Sequence, residues 1–296
     1  MEIRKVAVVG CGRMGGAMAA TLARAGFGLI VWNRDQEKAL RVAGPLSAVV
    51  ADTPAEAVAM ADVTLTSLAD DAAVRSVYLG EHGVVAGLRP DVVVMEMSTI
   101  DPEVVVEIGS AVDATGAALL DAPVSGSVST VEQGALTIMV GGDPVAVETA
   151  RPVLEALSAR VVEAGKRGAG AATKLAVNAL VHGLNVALSE ALVLAERAGV
   201  ERSVAYEVFA SGAGGAPFVQ YKREAYEHPE SAVVAFSLDL VAKDLELITG
   251  LGDRVGAPMD QAEAELQIVR RAIHAGMGAR DISAVAVFLR GDGEEH

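Results

Sequence analysis

Val6-Ala7-Val8-Val9-Gly10-Cys11-Gly12-Arg13-Met14-Gly15 is the stretch that decides the fold. An apolar run breaks into a Gly-x-Gly-x-x-Gly turn, Met18 to Leu22 continue as a helical stretch, and Gly26 is placed to end it. A second apolar run, Leu29-Ile30-Val31-Trp32, follows. Glycine-rich turns also end ordinary strands, so the flanking order matters more than the glycines. A strand entering such a turn and a helix leaving it bring backbone N–H groups and a helix N-terminus up to a pyrophosphate.

An acid commonly follows the second strand of this arrangement, where it bonds a ribose 2′-hydroxyl and selects NAD. Here the run leads into Asn33-Arg34. A guanidinium at that place can fork onto a 2′-phosphate and stack on the adenine face. Asp35 stands one residue late and can still reach the ribose. The expectation is NADP(H) in preference to NAD(H), with contacts from Gly10, Gly12, Arg13, Met14, Gly15, Asn33 and Arg34. Cys11 lies inside the turn, where a helix N-terminus favours a thiolate. It is read instead as a small residue in a tight turn.

The bulk properties narrow the partners. The chain has 296 residues, enough for two domains, and is 52% hydrophobic with 3% aromatic residues. A net charge of −15 argues against nucleic acid or an anionic membrane as partner. One cysteine excludes an internal disulfide and suits a reducing compartment. A buried-strand pattern begins by Val6, which leaves no room for a signal peptide. The apolar stretch Ala169 to Ala198 is interrupted by Lys174, Asn178, His182, Asn185 and Glu190, unlike a membrane span. The reading is a soluble, cytoplasmic protein.

Residues 1–164 alternate short Val/Ile/Leu-rich runs with Ala-rich segments. Strands are expected at Lys5–Val9, Leu29–Trp32, Val63–Ser67, Val92–Met97, Ala118–Asp121, Leu136–Val140 and Arg160–Glu163. Thr53-Pro54, Asp101-Pro102 and Asp143-Pro144 are helix-start signals. Such alternation implies an α/β fold, a doubly wound and largely parallel sheet covered by helices on both faces. Residues 165–296 lack strand signals and read as an all-helical domain for substrate binding and oligomerisation. Helices are expected over roughly 168–198 and near 201–210, 231–250, 260–275 and 281–290, with a loop at Ser211–Pro217. The first, about 45 Å long at 30 residues, is read as joining the two domains. The active site is then expected between them, outside the carboxyl ends of the strands.

Two further segments carry chemistry. Asp121-Ala122-Pro123-Val124-Ser125-Gly126-Ser127 follows a strand and ends in small residues, which offers a hydroxyl and amide N–H groups to a carboxylate. A plain turn into the next helix accounts for it equally well. Lys174 and Asn178 are four residues apart and share a helix face among apolar neighbours. Desolvation there disfavours an ammonium, which suits a proton carrier; a solvated lysine is the ordinary alternative. His182 continues the face as a pocket-lining or packing residue, and Glu190 reads as an interdomain bonding partner. Phe218, Tyr221 and Phe236 are expected in the core or the pocket wall. His82, His228, His274 and His296 have no metal-ligand spacing, and no metal is expected.

Taken together these segments resemble the β-hydroxyacid dehydrogenase family, which includes 3-hydroxyisobutyrate dehydrogenases, tartronate semialdehyde reductases and succinic semialdehyde reductases. The resemblance spans nearly the whole chain. It rests on residues 10–15, Met97-Ser98-Thr99-Ile100-Asp101-Pro102, Asp121–Ser127, Gly168-Ala169-Gly170 with Lys174 and Asn178, and Lys243-Asp244-Leu245. It implies a Rossmann domain followed by a helical one, assembled as a homodimer or homotetramer. It further implies Lys174 as catalytic lysine with Asn178 beside it, and Ser125, Gly126 and Ser127 around the substrate carboxylate. Lys243 would lie near substrate and nicotinamide, and Leu68, Ala69 and Thr99 along the cofactor.

Three positions depart from the family pattern: Ser127 for a second glycine, Glu96 for an aspartate, and Ala69 for a proline. None removes a group that the chemistry needs. The expected reaction is hydride transfer between NADP(H) and a small 3-hydroxy acid or its semialdehyde, with Lys174 as general acid/base. An imine reductase on the same fold and a non-catalytic NADP(H)-binding protein are the alternatives. The imine reductases usually lack the lysine and the Asp121–Ser127 segment that this chain has.

Overall fold

A computed structural model describes residues 3–291. The chain divides into two compact units with the boundary between Lys174 and Leu175.

The first unit is built on one sheet. Strands β1 (Lys5–Val9), β2 (Gly28–Trp32), β3 (Val49–Val50), β4 (Val63–Thr66), β5 (Val93–Glu96) and β6 (Ala118–Asp121) are all parallel, in the spatial order β3-β2-β1-β4-β5-β6. Beyond β6, strand β8 (Leu136–Gly141) turns antiparallel, with β7 (Val124–Ser125) and β9 (Ser158–Gly165) as its other neighbours. All seven expected strands form, Lys5–Val9 and Ala118–Asp121 with the expected ends and the others with ends shifted by one or two residues. The two-residue strands β3 and β7 were not expected.

Alternation along the strands explains the two layers. Val6 and Val8 point to a core shared with Met18 and Leu22 of helix α1 (Arg13–Arg24) and Val153 and Leu154 of helix α8 (Pro144–Leu157). Ala7 and Val9 point to the opposite core, with Val58 of α3 (Pro54–Ala59), Tyr78 of α4 (Asp71–Leu79) and Ile108 of α6 (Pro102–Asp113). Each Val, Leu, Ile or Met side chain among them contributes roughly 1.5–3 kcal/mol by leaving water. The three Pro-marked helix starts form as expected: Thr53, Asp101 and Asp143 each accept a first-turn N–H. The remaining helices of this unit are α2 (Gln36–Leu46), α5 (Val84–Gly87) and α7 (Val128–Glu132).

Helix α9 (Ala169–Arg197) is continuous across the unit boundary. It is long and apolar enough to cross a membrane, but in this fold Asn178, His182, Asn185 and Ser189 lie buried along it. The second unit adds α10 (Arg202–Ser211), α11 (Pro217–Glu227), α12 (Leu238–Val255), α13 (Asp260–Ala272), a π-helical turn at Ile273–Met277 and α14 (Ala284–Arg290).

Two expectations for this unit need correction. Helix α11 (Pro217–Glu227) was not among the expected helices, and it takes the last residue of the expected Ser211–Pro217 loop as its first. Residues 231–237 are not helical: α12 begins at Leu238, with Ser237 as its N-cap. Residues 235 and 236 turn their amides toward the Asp281 carboxylate instead. Asp281 is itself paired with Lys222 at 2.7 Å, both groups being buried.

Candidate active site

The glycine turn sits where strand order reverses, between β1 and β4. Gly10 has φ +105°, and a Cβ there would come 2.2 Å from the Ser67 carbonyl oxygen. A Cβ on Gly15 would come 1.9 Å from the Gly10 carbonyl oxygen. Backbone conformation and close packing therefore require glycine at those two positions. Gly12 is different, because a Cβ there would meet nothing within 4 Å. Nothing inside the protein demands a glycine at that point.

The N-terminus of α1 is equally unprovided for. Helices α2, α3, α4, α6 and α8 each open on an Asp or Thr whose side chain accepts a first-turn N–H. Helix α1 opens on Gly12, with no side-chain cap and no acid in its first turn. Its positive end and its N–H donors face outward beside a bare backbone. These residues fit a dinucleotide pyrophosphate on steric and electrostatic grounds. Arg13 is exposed at this helix start, and Met14 packs partly against the core.

At the end of β2, Asn33 closes the turn by accepting the Cys11 N–H at 2.9 Å. Arg34 and Asp35 are exposed. The Asp35 carboxylate accepts the Glu37 and Lys38 N–H groups as the cap of α2. The Cys11 thiol is buried, and burial pushes its pKa up to about 11. The thiolate bias that a helix N-terminus offers is outweighed here by desolvation.

The loops after β4 and β5 are tied to one another. The Leu68 N–H donates to Ser98 Oγ at 2.8 Å, and the Ser98 N–H donates to Glu96 Oε1 at 2.7 Å. Glu96 Oε2 accepts the Thr66 hydroxyl at 2.6 Å, and Thr66 in turn meets the Tyr78 hydroxyl at 2.8 Å. Glu96 is buried, and desolvation raises its pKa against the opposing pull of the Ser98 and Thr66 bonds. Ala69 is exposed in the same loop, and Thr99 is half-buried one residue beyond Ser98. Glu96, one of the three departures from the family pattern, is the hub between two loops at the carboxyl edge.

The Asp121–Ser127 segment leaves the next strand. Ser125 lies in β7 and is half-buried, while Gly126 is exposed with φ +145°. Ser127 caps α7 in a reciprocal arrangement with Thr130, and its hydroxyl also meets Ser129 Oγ at 2.7 Å. This capping role was not foreseen for Ser127. Lys174 is half-buried in the second turn of α9.

In the second unit a buried polar group surrounds Asp244. Asn178 donates to Asp244 Oδ2 at 2.6 Å, and Lys243 Nζ lies 2.8 Å from Oδ1. The His182 Nε2 is 3.7 Å from Oδ2, and its ring stacks on Phe236 with centroids 6.0 Å apart. Burial would raise the Asp244 pKa, but His182 and Lys243 beside it hold the carboxyl below its ordinary range. Glu265 is buried nearby on α13; burial raises its pKa, opposed by the Gln261 amide and by His182. The sequence marks Asp244 only as the middle of Lys243-Asp244-Leu245, with no role of its own, and does not mark Glu265 at all; an acid inside the apolar run of α12 was the available signal.

Phe218 is in the core, Tyr221 is exposed and edge-on to Phe218, and Glu190 is exposed. Among the described residues no group of three or more His, Cys, Asp or Glu is placed to hold a metal. His296 lies outside the described residues.

A doubly wound unit with a glycine turn at its switch point and an all-helical unit after it define an NAD-binding oxidoreductase. Residues 5–165 match the model of the NAD-binding domain of 6-phosphogluconate dehydrogenase, and residues 168–289 match that of NADP-dependent 3-hydroxyisobutyrate dehydrogenase. The chain belongs to the β-hydroxyacid dehydrogenase family.

Three relatives show the range of this similarity. An NAD-dependent L-serine dehydrogenase of Pseudomonas aeruginosa is 33% identical, covering 96% of this chain and 97% of its own. Glyoxylate/succinic semialdehyde reductase 1 of Arabidopsis thaliana is 32% identical over 95% of this chain and 96% of its own. The crystal structure of a 3-hydroxyisobutyrate dehydrogenase from Salmonella typhimurium superposes with a TM-score of 0.88 at 28% identity, covering 96% and 99% of the two chains.

Proposed function

We propose that the protein transfers a hydride between NADP(H) and a small 3-hydroxy acid or its semialdehyde, with Lys174 as the general acid/base. The observation that carries this reading is the position of Lys174 in the second turn of α9, whose first turn packs on the strand end that opens the Asp121–Ser127 segment. The relatives named as hydroxyacid dehydrogenases and semialdehyde reductases support the substrate class.

The bound nicotinamide supplies the acceptor or donor of the hydride. The rest of the work falls to the chain. The uncapped start of α1 and the bare Gly12 hold the pyrophosphate. Arg34 takes the 2′-phosphate, since Asp35 is engaged as a helix cap and Asn33 is turned to the Cys11 amide. Ser125, the Gly126 N–H and Lys243 hold the substrate carboxylate. Lys174 removes the hydroxyl proton in oxidation and returns it to the nascent alkoxide in reduction, with Asn178 beside the reacting oxygen. Such proton transfer contributes about 10²–10⁴ in rate, and positioning adds to it.

The test is a panel of hydroxy acids, semialdehyde acids and cyclic imines with both cofactors, followed by nicotinamide absorbance, for the native protein and Lys174→Ala. We expect turnover of a hydroxy acid or semialdehyde that the variant loses while keeping cofactor affinity. Near-normal turnover by Lys174→Ala, or turnover confined to imines, would overturn the reading.

A further inference from the structure

Asp121 is completely buried at the carboxyl end of β6. Its two oxygens both reach the start of α9: Oδ1 accepts the Gly168 N–H, 47 residues on, at 2.9 Å, and Oδ2 accepts the Ala171 N–H, 50 residues on, at 2.8 Å. Two of the N–H groups at the start of α9 are thus satisfied by a distant carboxylate, which sits at the positive end of the helix. Burial raises the Asp121 pKa, while the Ala171 and Gly168 N–H groups oppose the rise.

The surrounding glycines show how tight this docking is. A Cβ on Gly170 would come 2.5 Å from the Met139 carbonyl oxygen and 2.7 Å from that of Asp121. A Cβ on Gly141, the register partner of Asp121, would come 2.5 Å from Asp121 Oδ1. Gly168 has φ +91°, which turns the chain into the helix. The first turn of α9 is therefore pressed against β6 and β8 with no side chain between. Lys174 follows three residues after Ala171. On the other side of Asp121, four residues lead to Ser125 in β7.

We propose that Asp121 is a positioning residue that docks the first turn of α9 on the strand end leading to Ser125, and so fixes the reach of the Lys174 amine toward that segment. This rests on the reading of Lys174 as the proton carrier. Asp121 touches no reacting atom in this scheme. Replacing one of its oxygens by an amide turns a donor against a helix N–H, and the helix start must move. Displacement of a catalytic group by about 1 Å can cost on the order of 100-fold in rate.

A second tether gives a control. Arg167, next to Gly168, forms a two-pronged pair with Asp113 on α6 at 2.7 and 2.8 Å, with Asp113 exposed and Arg167 half-buried. Removing it loosens the same chain segment without touching the first-turn N–H groups.

The experiment compares Asp121→Asn, Gly170→Ala, Arg167→Ala and Lys174→Ala in the full chain. It measures kcat, substrate KM, cofactor Kd and Tm for each. We expect Asp121→Asn and Gly170→Ala to lower kcat by about 10- to 100-fold. Their cofactor Kd and substrate KM should stay within about 3-fold, and Arg167→Ala should keep near-normal kcat. Gly170→Ala leaves the carboxylate charge in place, so its agreement with Asp121→Asn separates position from charge. Normal kcat in either of these two, or a kcat loss matched by Arg167→Ala at equal Tm, overturns the inference. Near-normal turnover in Lys174→Ala instead overturns the proton-carrier reading on which it stands.

Discussion

Asn178 gives its side-chain N–H to Asp244 Oδ2 at 2.6 Å, with both groups buried. The amide is thereby oriented by an acid, and its oxygen is directed elsewhere. Asn178→Leu leaves Asp244 one donor short in a desolvated place, which costs about 1–3 kcal/mol. The denaturant midpoint of this variant should fall accordingly, with kcat reduced as well. An unchanged midpoint would show that the bond contributes nothing net.

The same carboxylate governs part of the acid limb of stability. Asp244 is held below the ordinary range, so it stabilises the fold above an unfolded value of about 3.9, and that contribution is lost as pH falls through its lower folded value. His182→Phe keeps a ring against Phe236 and removes the nitrogen beside Asp244. Acid unfolding of this variant should then begin at higher pH than in the native protein. An acid titration followed by circular dichroism checks the direction.

Gly12 and Gly15 of the first turn should behave differently. Gly15→Ala places a methyl into the Gly10 carbonyl and should cost at least 1–3 kcal/mol, roughly the range for overpacking. Gly12→Ala meets no protein atom, so its Tm should be unchanged while cofactor Kd rises by about 10-fold, near 1.4 kcal/mol. Thermal melts beside cofactor titrations decide it; a large Tm loss in Gly12→Ala would remove the argument for a ligand at that backbone.

Arg34→Ala should raise the Kd for NADPH by about 10-fold or more and leave that for NADH nearly unchanged, as loss of a charge-assisted fork of about 1.5–3 kcal/mol implies. Fluorescence titration with both reduced cofactors is the measurement. Equal losses for the two would assign Arg34 to general electrostatics.

Glu96 has the opposite sign to Asp244. Its folded pKa is raised, so its contribution to stability is full below about 4.3, the unfolded value, and is lost as pH rises through the folded one. Glu96→Gln removes that titration. Relative to the native protein, the variant should gain stability with rising pH across this window, as Tm measured against pH would show. Parallel curves would place the ionisation elsewhere.

Much of this was legible in the sequence because strand period and helix-start chemistry are local. Lys5–Val9, the glycine turn and the three Pro-marked helices follow from neighbours alone. Helix α11 was lost because its buried stripe contains Lys222, which is apolar neither in type nor in pattern and is accommodated only by Asp281, 59 residues away. The same carboxylate takes the Ala235 and Phe236 amides, just where the expected helix does not form. Val124–Ser125 is too short to show a period. Lys174 and Asn178 could be singled out by their spacing. Besides near neighbours such as Ser98 and Lys243, the buried acids Glu96, Asp121 and Asp244 hold Thr66, Gly168 and Asn178 from 30, 47 and 66 residues away, and no spacing announces those partners.

Cys11 closes the first turn with the only sulfhydryl in the chain, sealed beneath Asn33 and the end of β2. An alkylating reagent can therefore reach sulfur only when that turn opens. Mass added per unit time becomes a built-in clock for breathing at the nucleotide end of the sheet, readable without any engineered label, and a bound dinucleotide should slow it.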